Sequence, residues 1–174
     1  MDLTGHRIIA TDRQTVWRAL NDPEILKASI PGCSEMTGNA TDGFEAVVTQ
    51  KVGPVKATFK GAVTLTDIVE GVSYKLNGTG KGGAAGFAKG GAVVTLQDVN
   101  GGTRLDYEVQ AKVGGKMAQL GSRVIDGVAR KLADRFFENF ENVVAPPSAD
   151  ETIETPQIKP AKGWLAWILG WFKK

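Results

Sequence analysis

The chain has 174 residues, 42% of them apolar, a formal net charge of +2 and one cysteine. That length suits one domain with a real core plus a tail, and the interspersed acids and bases give no field for neutralising phosphates, so no nucleic-acid partner is expected. One cysteine excludes an internal disulfide, no apolar run approaches the roughly 20 residues needed to cross a bilayer, and Met1-Asp2-Leu3-Thr4-Gly5-His6-Arg7 lacks the hydrophobic segment of a cleavable signal; a reducing cytoplasm is the expected setting.

Taken in order, residues 3–11 read as a first strand around Ile8-Ile9-Ala10. A short helix follows, capped by Thr11 or Asp12, with Val16, Trp17 and Leu20 as its apolar cluster. Asn21-Asp22-Pro23 stops it, because proline disfavours helical geometry in the residue before it. A second short helix covers 23–28, with Pro23 in the first turn, where its missing N–H costs nothing. From Ser34 the period changes to two. Strands are predicted at 35–37, 44–52, 55–65, 72–76, 92–99 and 104–113, with turn signals at 38–43, Gly53-Pro54 and Asn100-Gly101-Gly102. In the last strand Leu105, Tyr107, Val109, Ala111 and Val113 alternate with polar residues. Parity likewise turns Ala57, Phe59, Gly61, Val63 and Leu65 inward.

Residues 115–144 then read as one amphipathic helix roughly 40 Å long. Its dry stripe runs through Met117, Leu120, Val124, Val128, Leu132, Phe136, Phe140 and Val143, with Arg123, Arg130, Asp134, Glu138 and Glu141 on other faces. Strand, two short helices, about six more antiparallel strands and a long helix make an α+β fold of the helix-grip kind. A curved antiparallel sheet of about seven strands surrounds one C-terminal helix. Small inward residues (Ala46, Ala57, Gly61, Ala92, Ala111) stand beside large ones (Phe44, Phe59, Tyr74). Two readings stand: a hollow that admits a guest, or small residues that let the helix fit close. If the sheet is hollow, strand parity and helix phase nominate Phe44, Phe59, Tyr74, Phe87, Leu120, Val124 and Val128 as its lining.

Gly78-Thr79-Gly80-Lys81-Gly82-Gly83 matches G-x-G-x-x-G, but more glycine and then a strand follow it, where a dinucleotide site needs a helix. The segment fits a gate carrying Phe87, or bulges that let the sheet curve. Groups for chemistry are scarce. His6 and Cys33 are the only histidine and cysteine, neither has an evident partner, and Cys33 reads as a small buried hydrophobe. Asp126 and Asp134 read as surface ion pairs with neighbouring arginines. No catalytic set and no metal site is nominated.

The domain is expected to span 1–144. Residues 145–163, with Pro146, Pro147, Pro156 and Pro160 among polar residues, read as a flexible linker. Residues 164–174 form a tryptophan-rich amphipathic tail too short to span a bilayer. Trp164, Trp167 and Trp171 fall on one helical stripe, Phe172 adds a fourth ring, and Lys173 and Lys174 can meet anionic lipid. Four half-buried rings give on the order of 10 kcal/mol gross, before ordering costs. The tail is expected to bind a membrane surface; docking on a protein partner or on its own domain are the alternatives.

Four runs carry a family resemblance: Ile30-Pro31-Gly32-Cys33; Lys51-Val52-Gly53-Pro54-Val55-Lys56-Ala57-Thr58-Phe59-Lys60-Gly61; Gly80-Lys81-Gly82-Gly83-Ala84-Ala85-Gly86-Phe87-Ala88-Lys89-Gly90; and Gln119-Leu120-Gly121-Ser122-Arg123 through Ala133-Asp134-Arg135-Phe136-Phe137. Over about residues 1–144 the chain resembles the CoxG family of carbon monoxide dehydrogenase subunits, which belongs to the START-like, pollen-allergen-like SRPBCC superfamily of helix-grip folds. The resemblance implies a non-catalytic accessory protein of a molybdenum-containing carbon monoxide dehydrogenase or a related hydroxylase. It would recruit that enzyme to the inner face of the cytoplasmic membrane and hold a lipid or isoprenoid quinone, with no covalent cofactor. A recruitment adaptor with a filled core, and a cyclase- or hydrolase-type enzyme of the same superfamily, are the alternatives.

Overall fold

The structure is a computed structural model that describes residues 1–147. Seven strands form one antiparallel sheet: β1 (Asp2–Ile9), β2 (Cys33–Asn39), β3 (Gly43–Val52), β4 (Val55–Val69), β5 (Ser73–Lys81), β6 (Phe87–Val99) and β7 (Gly102–Gly114). The spatial order is β1-β7-β6-β5-β4-β3-β2, so the meander is completed by the first strand lying against the last. That pairing runs from Asp2 opposite Gln110 to Ile9 opposite Thr103. Two short helices, α1 (Arg13–Leu20) and α2 (Pro23–Ser29), carry the chain from one edge of the sheet to the other, and α3 (Ser122–Val144) closes the domain. The helix-grip fold expected from the element order is the observed one.

Local chemistry accounts for the short helices. The Asp12 carboxylate accepts the Thr15 N–H at 2.9 Å and its hydroxyl at 2.6 Å, which satisfies amide groups that no helical carbonyl can reach. Asp22 does the same for Glu24 and Ile25, with Pro23 in the first turn. At the end of α2 the Ser29 hydroxyl donates to Ile25 O at 2.7 Å, and Ser29 O accepts from Asn139 of α3 at 3.1 Å. Buried polar atoms are thereby paired where α2 and α3 meet.

Two expectations are corrected. The apolar period at 115–144 is not one helix. Gly115–Leu120 is a 3-10 turn bounded by Gly115 at φ 77° and Gly121 at φ 85°, and α3 starts only at Ser122. Glycine takes that backbone region freely while other residues are strained there, so these two positions break a pattern that side-chain period alone would continue. The glycine-rich stretch is also not a bulged interruption. β5 runs to Lys81 and β6 begins at Phe87, with Gly78 opposite Gly90 and Gly80 opposite Ala88 in unbroken register. The ladder overrides the poor strand propensity of glycine, leaving only 82–86 as the turn.

The core lies between the inner face of the sheet and the helices. Ile9, Val16, Leu96, Leu105 and Phe140 are essentially inaccessible to water, each gaining about 1.5–3 kcal/mol from burial. Trp17 meets Tyr74 edge-on at 5.5 Å, and Tyr107 stacks on Phe137 at 5.2 Å. A smaller cluster of Val52, Ala85 and Met117 is backed by Phe59, Leu120 and Val128.

Candidate ligand cavity

Under the middle of α3 the core is hollow. A cavity of about 430 Å³ runs across the inner face of the sheet. Strands supply Phe44 and Val48 (β3), Val63 and Leu65 (β4) and Tyr74 and Leu76 (β5) on one side. Ala92 and Val94 (β6) with Leu105, Tyr107 and Val109 (β7) line the other. The roof is one stripe of α3, Leu132, Ala133, Phe136 and Phe137, with Leu26, Ile30 and Pro31 closing the α2 end. This stripe follows from helical geometry: Leu132 lies in line with Phe136 and Ala133 with Phe137, each four residues apart, and the two rows run side by side.

Polar surface on the wall is nearly absent: among the described residues Gln50, Tyr74 and Tyr107 are the lining residues that carry a side-chain hydrogen-bonding group, and the Tyr107 hydroxyl lies over Gly5 of β1. The Gln50 amide donates to Pro31 O, which ties β3 to the turn after α2. Burial pushes the Tyr74 phenol well above the ordinary tyrosine range, so it stays neutral. The volume falls within the roughly 300–1,000 Å³ of small-molecule sites. A wall with so few hydrogen-bonding groups offers water little, so the chemically matched guest is apolar.

The residues that sequence patterning nominates fall in three places. Phe44 and Tyr74 stand on the cavity wall. Phe59, Leu120 and Val128 pack in the smaller cluster around Met117. Phe87 and Val124 are 48% and 40% exposed. Gln50, Tyr107, Leu132 and Phe136 line the cavity without being nominated, although Tyr107 has inward parity and Leu132 and Phe136 belong to the helix stripe. The signal for Gln50 is a polar residue in phase with Phe44 and Val52. Trp164, Trp167, Trp171, Phe172, Lys173 and Lys174, and the linker before them, lie outside the described residues.

The described residues offer little for catalysis. No group of three His, Cys, Asp or Glu side chains is placed to hold a metal ion among them. His6 is exposed on β1 opposite Asp106, and burial raises the Cys33 thiol, whose hydrogen points to Glu35 O at 3.2 Å. Among the described residues no helix is long and apolar enough to cross a membrane.

A curved antiparallel sheet holding one long helix over an apolar hollow defines a helix-grip protein. More narrowly, the chain belongs to the CoxG family of carbon monoxide dehydrogenase subunits, whose model matches residues 5–145. It is 32% identical to a protein of Geobacillus kaustophilus, with a TM-score of 0.77 over 83% of this chain and 95% of that one. Likeness of fold alone extends to a protein of Thermus thermophilus, at 13% identity and TM-score 0.62 over 83% of this chain and 97% of that one. It extends also to Ara h 8.0201, at 17% identity and TM-score 0.57 with the same coverage. Comparison with curated protein sequences gave no match.

Proposed function

We propose that this chain is a non-catalytic accessory protein that carries a hydrophobic ligand in the cavity beneath α3 and serves an enzyme of the carbon monoxide dehydrogenase type. The observation that carries this reading is the 430 Å³ apolar hollow, in a chain whose family is described as a subunit of that enzyme. A cavity so poor in polar groups costs packing energy that a filled core would keep, which argues for a use. An isoprenoid quinone suits it: the isoprenoid part matches the aliphatic and aromatic wall, and the Gln50 amide and the Tyr74 hydroxyl are the candidate donors to quinone oxygens. A ligand drawn from a bilayer calls for a protein that works beside one. In our reading the tail around Trp164, Trp167 and Trp171 provides that tether at the cytoplasmic face, and the enzyme served is a molybdenum-containing dehydrogenase that receives quinone as electron acceptor.

The test is native mass spectrometry with organic extraction on the full chain, purified from a host whose membranes contain quinone. One stoichiometric quinone or lipid per chain, lost when Ala133 is replaced by Phe, is the expected result. A clean apo mass that does not change after incubation with quinone-loaded vesicles would overturn the carrier reading and leave a recruitment adaptor.

A further inference from the structure

We propose that the end of the sheet formed by the β5–β6 hairpin is a docking surface for anionic lipid headgroups, built by Lys60, Lys81, Lys89 and Lys112 around the ring of Phe87. The site is separate from the tail and does not rest on the tether assigned to it.

The register places these residues together. One row across the outer face reads Lys60, Lys81, Phe87, Gly114 on β4, β5, β6 and β7. The next outward-facing row reads Ala62, Thr79, Lys89, Lys112. Adjacent strands lie only about 4.8 Å apart, so Lys60 faces Lys81 and Lys89 faces Lys112 as directly opposed like charges. Such pairs weaken a sheet. All four lysines are exposed, and none is joined to an acid by an ion pair among the described residues, although Glu35 and Glu45 border the patch on the β2–β3 side and Asp2 and Glu108 on the β1–β7 side. A third opposed pair, Lys51 and Lys56, adds positive charge at the same end of β3 and β4.

Phe87 fixes the kind of partner. Its ring is 48% exposed and lies over Gly114, where any Cβ would meet it at 2.3 Å, so the glycine keeps a flat seat for an aromatic ring beside Lys81. An exposed phenylalanine ring among lysines combines the two elements of a membrane-surface anchor, apolar at the centre and cationic at the rim. Lysine is depleted from protein–protein interfaces, and as a point charge on a flexible stem it has none of the fork geometry by which arginine reads a fixed carboxylate. A layer of mobile, singly charged headgroups asks for no such geometry.

The test uses the full chain with the tail silenced by W164S, W167S and W171S, assayed by co-sedimentation with phosphatidylglycerol–phosphatidylcholine vesicles and with pure phosphatidylcholine. We expect binding to the anionic vesicles alone, abolished at about 1 M salt, where charges are screened beyond about 3 Å. In that background K60Q/K81Q/K89Q/K112Q should weaken binding about a hundredfold or more, and F87S several-fold. The quadruple variant should melt no lower than its parent, since opposed charges have been removed; if it melts early, K81E alone, expected to lose about tenfold, reads the same contact. Equal binding by the parent and the lysine variants would overturn the proposal. So would lysine-dependent binding to polyglutamate without binding to anionic vesicles, which moves the patch to an acidic protein partner.

Discussion

The guanidinium of Arg7 lies 5.2 Å from the centre of the Phe137 ring while pairing with Asp134 one turn earlier on the same helix. Arg7 shares the inward face of β1 with Leu3 and Ile9, so a charged side chain at the sheet edge holds the helix that roofs the cavity. An exposed ion pair is worth little by itself, but the cation over the ring and the packed stem add to it. R7A should lower unfolding free energy by about 1–2 kcal/mol. Hydrogen exchange should rise first in α3 around Phe136 and Phe137. Unchanged protection there, measured by mass spectrometry, would show that Arg7 does not hold the roof.

Ala133 faces the hollow from α3. A133L puts apolar atoms into it without displacing others, so the ligand-free protein should gain about 0.5–2 kcal/mol in denaturant titrations. The same variant should take up a fluorescent fatty acid at least tenfold more weakly. Gain without loss of uptake would mean that the probe binds elsewhere.

Gly121 and Gly127 make a matched pair. A Cβ at either one meets nothing within 4 Å, yet Gly121 has φ 85° and Gly127 is within α3. G121A should cost about 1–3 kcal/mol through backbone strain, whereas G127A should gain about 0.5–1 kcal/mol by restricting the unfolded chain. Thermal melting distinguishes them by sign. Equal shifts would show that the break before α3 is not enforced at Gly121.

Glu141 has its carboxyl raised above the ordinary range, chiefly by burial, with Arg7 opposing and Glu138 assisting. Its folded pKa exceeds its unfolded one, so the native state binds the proton more tightly. No penalty exists below the unfolded value, where both states are protonated, and the full penalty is present above the folded value. E141Q should therefore melt like the parent in acid and higher than it at neutral pH, the gap opening across and just above the ordinary glutamate range. A gap that is constant with pH would assign the effect to packing.

How far the sequence reaches depends on what each signal fixes. Period-two alternation sets the faces of β4 and β7 because one face of each meets the core, and Asp12 as a cap and Pro23 in a first turn mark the two short helices through local signals, whereas the cap made by Asp22 is visible only in the structure. The glycines at 78–91 carry no such pattern: their strand character comes from the partners on β4, β6 and β7, which no local window contains. For the cavity, parity places Phe44 and Tyr74 on its wall. Helical phase defines a stripe without telling which part of it overlies a hollow, because that depends on where α3 starts and how it crosses the sheet. The backbone angle of Gly121 decides the first of these, and the alternation of apolar residues is silent about it.

The seating of β1 against β7 also orders events during synthesis. The backbone of Met1 exchanges hydrogen bonds with Ala111, 110 positions along the chain, so β1 has no neighbour in the sheet until β7 has emerged from the ribosome. At about 5–20 residues per second that interval is roughly 5–20 s. During it Ile8 and Ile9 sit on an unpaired edge, and loop closure over so long a separation is slow. The sheet is therefore complete only when β7, the last of its seven strands in chain order, meets β1, the first.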